Sequence, residues 1–317
     1  MTNNIPVFFT ADEAYAPYLA TAINSLVKNA SPARKYSISV LHEDITPESI
    51  SKILALAKEN VSITFIPMKE GLDAITDKMS NRLRCDYFTL TIYFRLFIAE
   101  MFPEIDKCIY VDSDVVLVSD IAELYDVELG DNLFGACADK SVSDVPELAA
   151  YMENAVGVDR HKYINSGILL MNAKKLREVG FRDHFLHLLT THAFDCIAPD
   201  QDYINAIAKK RILLLPDAWD TMPNPNNPEA NDAKLIHYNL FSKPWCYDKI
   251  QYEDHFWRYA EDSGFIDEIR AFKSAYGDDK KAADEECLSL LVRRGYEISC
   301  SDHTFRTAEE GGVKIAL

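Results

Sequence analysis

Short runs of β-branched and aromatic residues recur at 5–10, 36–41, 61–66 and 108–111, and the stretches between them, 15–28, 47–59 and 89–101, repeat their apolar residues at helical spacing. The order is βαβαβ. Strands joined through helices need right-handed crossovers and a parallel sheet covered on both faces, with ligands outside the carboxyl ends of the strands. The pattern predicts an α/β fold with a mainly parallel central sheet, and a site directly after the apolar runs. Further strands are expected at 133–138, 164–171 and 212–215, with helices at 181–191 and 202–209. Between 217 and 233 the chain gathers Pro and Asn (Pro223, Asn224, Pro225, Asn226, Asn227, Pro228), a composition that resists helix and sheet alike. A loop of that length reads equally as a connection or as a wall for a second substrate. From 252 onward the pattern is helical again, with a charged run at 278–286 and an apolar one at 288–292, and no chemistry is visible in it. The expected division is a main domain, 1–250, and a C-terminal helical extension, 251–317.

Composition narrows the class. Of 317 residues 48% are hydrophobic and 26% charged, which is the balance of a globular protein with a sizeable core. The formal charge of -17 repels phosphate backbones and anionic lipid, so nucleic acid is an unsuitable partner. A bound cation with a few local Lys or Arg can still reverse the field inside one cleft. The seven cysteines (Cys85, Cys108, Cys137, Cys196, Cys246, Cys287, Cys300) are odd in number and include no Cys-x-x-Cys pair, so they read as reduced thiols, mostly in the core. No apolar stretch reaches the roughly 18 residues of a membrane span, and the N-terminus lacks a basic leader segment. These features give the expectation of a cytoplasmic protein. Neither G-x-G-x-x-G nor G-x-x-x-x-G-K-[ST] occurs, which weakens dinucleotide and P-loop readings.

Asp112 and Asp114 follow the buried-type run at 108–111 directly. Residues i and i+2 of an extended chain point the same way, so both carboxylates can face one cation. Oxygen ligands suit Mg²⁺ or Mn²⁺, ions that bind through one or two carboxylates while substrate phosphates complete the shell. A second D-x-D triplet, Asp200-Gln201-Asp202, reads on local grounds as a helix N-terminus, where the dipole favours acids. His237 ends another apolar run, and Lys243 six residues on offers a cation for a phosphate; the segment thus combines a metal ligand with an anion contact.

In order, Phe9-Thr10-Ala11-Asp12-x-x-Tyr15, Tyr93-Phe94-Arg95-Leu96, Tyr110-Val111-Asp112-Ser113-Asp114, Asn165-Ser166-Gly167, Asp200-Gln201-Asp202 and His237-x5-Lys243-Pro244-Trp245 resemble the motif series of glycosyltransferase family 8. That family includes bacterial lipopolysaccharide galactosyl- and glucosyltransferases and is related to glycogenin. The resemblance covers about 5–247 and keeps motif order. It implies a Rossmann-like nucleotide-sugar-binding domain, the A-type glycosyltransferase fold, and a retaining hexosyltransferase that uses UDP-glucose or UDP-galactose with Mn²⁺ or Mg²⁺ and a glycan acceptor.

By position the resemblance implies Asp112, Asp114 and His237 as metal ligands. It places the uracil on Asp12 and Tyr15 beside Thr10 and Ala11, and the donor's phosphate and sugar side near Arg95, Ser113, Leu240 and Lys243. Asp139, Asn165, Asp200 and Gln201 would surround the transferred sugar, with Gln201 nearest the anomeric carbon and Asp200 and Asn165 beside it. The chain departs from the family at Ala14, where related bacterial enzymes tend to have Asn, and at Leu240, where the usual residue is Gly. The basic aromatic tail by which some relatives attach to membranes is not evident, which leaves peripheral membrane association unsupported, and oligomeric state stays open. Val111-Asp112-Ser113-Asp114-Val115-Val116 also fits the opening signature of haloacid dehalogenase phosphatases, with Asp112 as nucleophile. A non-catalytic sugar-nucleotide binder of the same fold is the other alternative.

Overall fold

The computed structural model describes residues 4–68 and 91–317. The first half of the fold comprises β1 (Asn4–Ala11), α1 (Ala16–Asn29), β2 (Lys35–His42), α2 (Pro47–Leu54), β3 (Val61–Pro67), α3 (Thr91–Phe94), α4 (Ile98–Met101), β4 (Cys108–Val111) and β5 (Val115–Leu117). After these come α5 (Ala122–Tyr125), β6 (Phe134–Ala136), α6 (Pro146–Tyr151), β7 (Ile168–Met171), α7 (Ala173–Val179), α8 (Phe181–Thr191), α9 (Pro199–Ala208), β8 (Ile212–Leu214) and β9 (Leu235–His237). Four helices follow: α10 (Glu253–Ala260), α11 (Ile266–Ser274), α12 (Asp278–Ser299) and α13 (Phe305–Glu310).

Seven strands form one sheet in the order β3-β2-β1-β4-β7-β6-β8, and every strand but β7 runs in the same direction. The expected mainly parallel sheet is therefore present. Alternation along the strands sorts its side chains into two apolar layers. Ile5, Val7 and Phe9 of β1 face α1 (Leu19, Ile23, Leu26) and, beyond it, Phe256, Phe265 and Ile269. Phe8 and Tyr110 face the opposite layer, built from Phe185, Tyr203 and Ile207 together with Leu291, Ile298 and Phe305. Burial of about 25 cal/mol per Å² of apolar surface is the main stabilising term in both layers. Of the C-terminal helices, α10 and α11 contribute to the first layer and α12 and α13 to the second.

Several elements differ from expectation, each for a local reason. The helix expected at 47–59 stops at Leu54, because Lys58 and Val61 exchange backbone hydrogen bonds in a tight turn that starts β3. The helix expected at 89–101 is two single turns within the described residues. Between them the amides of Leu96 and Phe97 bond three residues back, to Tyr93 and Phe94, and the tightened turn sends Arg95 into the site. The strand expected at 164–171 is ordered as strand only from Ile168, since the Asn165 side chain accepts from the Gly167 amide at 2.7 Å and turns the chain. The helix expected at 202–209 starts earlier, at Pro199, whose fixed φ suits a first helical position. Asp200, Gln201 and Asp202 thus lie in its first turn, in keeping with the local reading of that triplet.

Four of the described cysteines, Cys108, Cys137, Cys196 and Cys246, are buried free thiols, while Cys287 and Cys300 lie nearer the surface. Cys85 falls outside the described residues. Among the described residues no helix is long and apolar enough to cross a membrane.

Candidate active site

The carboxyl end of β4 passes directly into Asp112 and Asp114. The amide of Asp112 donates to the carbonyl of Gly167 at 2.7 Å, which locks this end to the start of β7. A second, two-stranded sheet pairs β5 with β9 in antiparallel register, Val115 opposite His237, and the Tyr238 amide donates to the Asp114 carbonyl at 2.9 Å. Residues far apart in the chain are brought together by this pairing. Asp112, Asp114 and His237 offer ligand atoms that all lie within 4.8 Å of one another.

Carboxylate oxygens plus one imidazole nitrogen form a donor set acceptable to Mn²⁺ or Mg²⁺. The space they enclose is kept open by Gly167. A Cβ there would stand 2.5 Å from Cε1 of His237 and 2.8 Å from Oδ2 of Asp112, so any side chain would fill the cradle. The residues present fit a divalent cation.

Each of the three side chains is held from behind. His237 Nδ1 lies 3.0 Å from Oδ1 of the buried Asp220, and its Nε2 lies 3.3 Å from Oδ1 of Asp114. A carboxylate behind a metal-ligating histidine fixes ring orientation and tautomer and raises ligand basicity. Lys243 Nζ donates to Oδ2 of Asp114 at 2.6 Å and to the Tyr238 carbonyl at 3.0 Å. On the other side Arg95, 4% exposed, bridges Asp112 Oδ1 at 3.0 Å and Asp200 Oδ2 at 3.2 Å, donates to the Ser166 carbonyl at 2.6 Å, and lies over the Tyr110 ring at 4.3 Å. The Tyr110 hydroxyl donates to Asp112 Oδ1 at 2.6 Å and pairs with the Thr10 hydroxyl at 2.8 Å.

The electrostatics follow from burial opposed by pairing. Burial alone would raise the Asp114 carboxyl, but the Lys243 ammonium and the His237 imidazole outweigh it and hold it well below the usual carboxylate range. Burial disfavours the charged His237 ring, yet Asp114 and Asp220 push its pKa up to about 10. Asp220 is raised to about 6 by burial, against the lowering effect of His237. Asp200 is raised by burial, moderated by Arg95.

A cavity of about 420 Å³ opens in front of these groups. Its wall includes Tyr15, Arg95, Asp112, Asp114, Asn165, Asp200, Gln201, His237, Leu240 and Lys243 from the residues singled out in the sequence. Asp139 stands one layer behind, fully buried, accepting from Gln201 Nε2 at 2.9 Å and Asn165 Nδ2 at 3.1 Å, so it fixes two residues of the wall. Ser166 donates to Gln201 Oε1 through its amide and to Asp200 Oδ2 through its hydroxyl. Asp202 faces away from the cavity and accepts from the hydroxyls of Tyr151 and Tyr163, anchoring the first turn of α9.

Thr10, Ala11, Asp12 and Ser113 are absent from the cavity wall. The Thr10 hydroxyl is engaged by Tyr110, Ser113 donates to the Thr10 carbonyl at 2.9 Å, and Ala11 is buried at the end of β1. Asp12 accepts from the Tyr15 amide at 2.9 Å and caps the short turn Glu13–Tyr15. Glu13 ties that turn to Thr46 and Ser49 at the start of α2, which sets the position of the exposed Tyr15 ring. Leu240, at the family's Gly position, has φ of +54°, a left-handed conformation costing a non-glycine residue roughly 1–2 kcal/mol. Its amide donates to the Asn239 side chain at 2.8 Å.

Sequence reasoning missed Asp220, which sits 17 positions before His237 in a loop with no motif. It also missed Phe272 of α11, Asp284 of α12 and Tyr276 between them, which line the cavity beside Tyr18 and Trp245. No local signal distinguishes these residues from ordinary loop and helix-surface side chains.

The parallel sheet with an acidic pair at the end of β4 and a histidine brought in by β9 is the A-type glycosyltransferase fold. In the solved structures, the bifunctional glycosyltransferase WbbM matches with a TM-score of 0.72 and 26% identity, covering 86% of this chain and 52% of that one. The sequence profile of glycosyl transferase family 8 matches residues 6–249, and the chain belongs to that family. A glycosyltransferase-named protein of Haemophilus influenzae is 28% identical over 218 residues, 68% of this chain and 63% of its own length. The lipopolysaccharide 1,2-glucosyltransferase of Escherichia coli is 27% identical over 255 residues, covering 75% of this chain and 72% of that protein. The chain thus spans under two thirds of the length of the Haemophilus relative and about half of WbbM.

Proposed function

We propose that this protein is a retaining hexosyltransferase that moves glucose or galactose from a UDP-sugar to a glycan acceptor, of lipopolysaccharide type or another, in the cytoplasm and with Mn²⁺ or Mg²⁺. The observation that carries the reading is the convergence of Asp112, Asp114 and His237 at one end of a cavity that also presents Lys243. A divalent ion bound there supplies positive charge against the diphosphate leaving group. The name of the Escherichia coli relative supports glucose and a lipopolysaccharide acceptor as the first pair to try.

Lys243 is positioned to contact the donor phosphate, with Leu240 beside it. Arg95 holds Asp112 and Asp200 in fixed orientation between the phosphate and sugar ends. Asn165, Asp200 and Gln201, backed by Asp139, meet the sugar hydroxyls, and Gln201 stands at the anomeric carbon. The Tyr15 ring stacks on the uracil, and the 10–12 segment with Ser113 shapes the base and ribose side from behind. As the bond from sugar C1 to the phosphate oxygen breaks, positive character develops at C1, and the acceptor oxygen bonds to C1 on the face that UDP leaves while its proton passes to the departing phosphate oxygen. The carboxylates nearest the sugar side are engaged, Asp200 by Arg95 and Ser166 and Asp139 by Asn165 and Gln201, which supports front-face attack over a covalent intermediate.

The phosphatase alternative is not favoured: the family 8 profile runs over residues 6–249, across every element that builds this cavity up to β9. Release of UDP from UDP-glucose and UDP-galactose, with Mn²⁺ and with EDTA, tests the proposal in wild type and Asp114→Ala. Metal-dependent release lost in the variant is expected. Metal-dependent UDP binding with no release, even with a glycan acceptor panel, would assign the chain as a binding protein instead.

A further inference from the structure

The C-terminal helices reach the cavity at the elbow between α11 and α12. Lys273 near the end of α11 donates to the carbonyl of Pro244 at 2.6 Å and to that of Tyr247, and pairs with Asp248 at 3.0 Å, which ties the elbow to the segment carrying Lys243. Tyr247 and Tyr276 both donate their hydroxyls to Oδ2 of Asp284, at 2.6 and 2.7 Å. Among the described residues no hydrogen bond reaches Oδ1 of Asp284. Phe272 meets the ring of Tyr18 edge-on at 6.3 Å, Tyr18 stacks on Trp245 at 4.1 Å and meets Tyr15 at 5.6 Å, and Phe272 packs on Tyr276 at 5.6 Å. The result is a continuous aromatic wall from Tyr15 to Asp284.

On one side of the acidic pair Arg95 links Asp112 to Asp200, so the sugar-facing groups lie beyond Asp112. On the other, Lys243 is bonded to Asp114 and lies over the rings of Tyr15 and Trp245, at 5.9 and 5.2 Å. A sugar nucleotide bound with its diphosphate at Asp112, Asp114 and Lys243 and its hexose toward Asp200 has to extend its nucleoside toward the aromatic wall. Flat rings suit a nucleobase, and a carboxylate with an unused oxygen suits the hydroxyl and N–H donors of a nucleoside.

We propose that the α11–α12 elbow, through Phe272, Tyr276 and Asp284, forms the outer wall of the nucleoside subsite, so that the C-terminal extension selects the donor rather than only covering the core. This rests on the sugar-nucleotide reading of the cavity. In this arrangement the elbow supplies contacts at the end of the donor near Ala14, where the family's usual Asn is missing.

The test measures Mn²⁺-dependent binding of UDP and of inorganic pyrophosphate to the full chain by calorimetry, in wild type, Phe272→Ala and Asp284→Ala. Both sites are partly exposed, so the variants should fold, and circular dichroism with Mn²⁺ binding alone checks this. The expected result is a weakening of UDP by about tenfold in each variant, with pyrophosphate unchanged. Unchanged UDP affinity, or an equal loss for UDP and pyrophosphate, would overturn the elbow assignment while leaving the sugar-nucleotide reading intact. Unchanged UDP affinity with a raised acceptor KM would give the elbow to the acceptor. If wild type binds pyrophosphate but shows no preference for UDP, the sugar-nucleotide reading itself fails and this proposal with it.

Discussion

Asp220 places Oδ1 3.0 Å from Nδ1 of His237, and its side chain has no exposure to solvent, so the imidazole presents its other nitrogen to Asp114. A ligand histidine without such a partner can rotate or change tautomer. Asp220→Ala should therefore weaken Mn²⁺ binding by about 10–100-fold, and Asp220→Asn, which keeps an acceptor oxygen, by less. Mn²⁺ titration followed by electron paramagnetic resonance reads this without any turnover. Equal affinity in all three proteins would remove Asp220 from the site.

Two glycines separate the site from the scaffold. Gly167→Ala puts a Cβ against His237 and Asp112 and should abolish Mn²⁺ binding. Gly295→Ala places a Cβ 2.8 Å from Cδ2 of Leu148, where α12 meets α6, and should change stability by no more than about 2 kcal/mol, overpacking being offset by roughly 1 kcal/mol of helix propensity, with Mn²⁺ affinity retained. Denaturant melts and metal titration on the same samples distinguish the two effects; intact metal binding in Gly167→Ala would show that the cradle lies elsewhere.

Arg95 is the cation shared by Asp112 and Asp200. Removing one member of a buried charge network leaves its partners uncompensated, at a cost of about 3–5 kcal/mol. Arg95→Ala should lose this stability and nearly all UDP release. Arg95→Lys should recover part of the stability but little activity, because an ammonium cannot span both carboxylates and the Ser166 carbonyl in one plane. Full activity in the lysine variant would mean that only charge is needed.

His42, at the end of β2, has its pKa lowered by burial, with nearby Asp44 opposing. The unfolded chain then takes up a proton at higher pH than the folded one, so this residue's contribution to stability is present above about pH 6.5 and declines as pH falls below that value. His42→Asn should flatten the loss of Tm between about pH 7 and pH 5, measured in EDTA to keep metal out of the comparison. An identical pH profile in the variant would exclude His42 as a source of acid sensitivity.

The alternating apolar runs determined the shared direction of β1 to β4 and the position of Asp112 and Asp114, though not the reversal of β7, because the former follow from local periodicity and from the rule that parallel sheets bind ligands at their carboxyl ends. The ordered motif series likewise pointed to Arg95, Gln201, His237 and Lys243 from the chain alone, and the structure gathers them around one cavity. What the sequence could not settle was pairing between distant segments: that β9 lies against β5 and sets His237 beside Asp114, that a motif-free loop returns Asp220 to the back of the histidine, and that helices near the C-terminal end wall the same cavity as Tyr15. Those contacts depend on which surfaces are buried together, and a side chain such as Asp284 has the same local pattern whether it faces water or a ligand. Periodicity and motif are properties of neighbouring residues, so the sequence determined the frame and the residues carried on it. Complementarity between segments far apart in the chain is a property of the packed whole, and only the tertiary structure decided it.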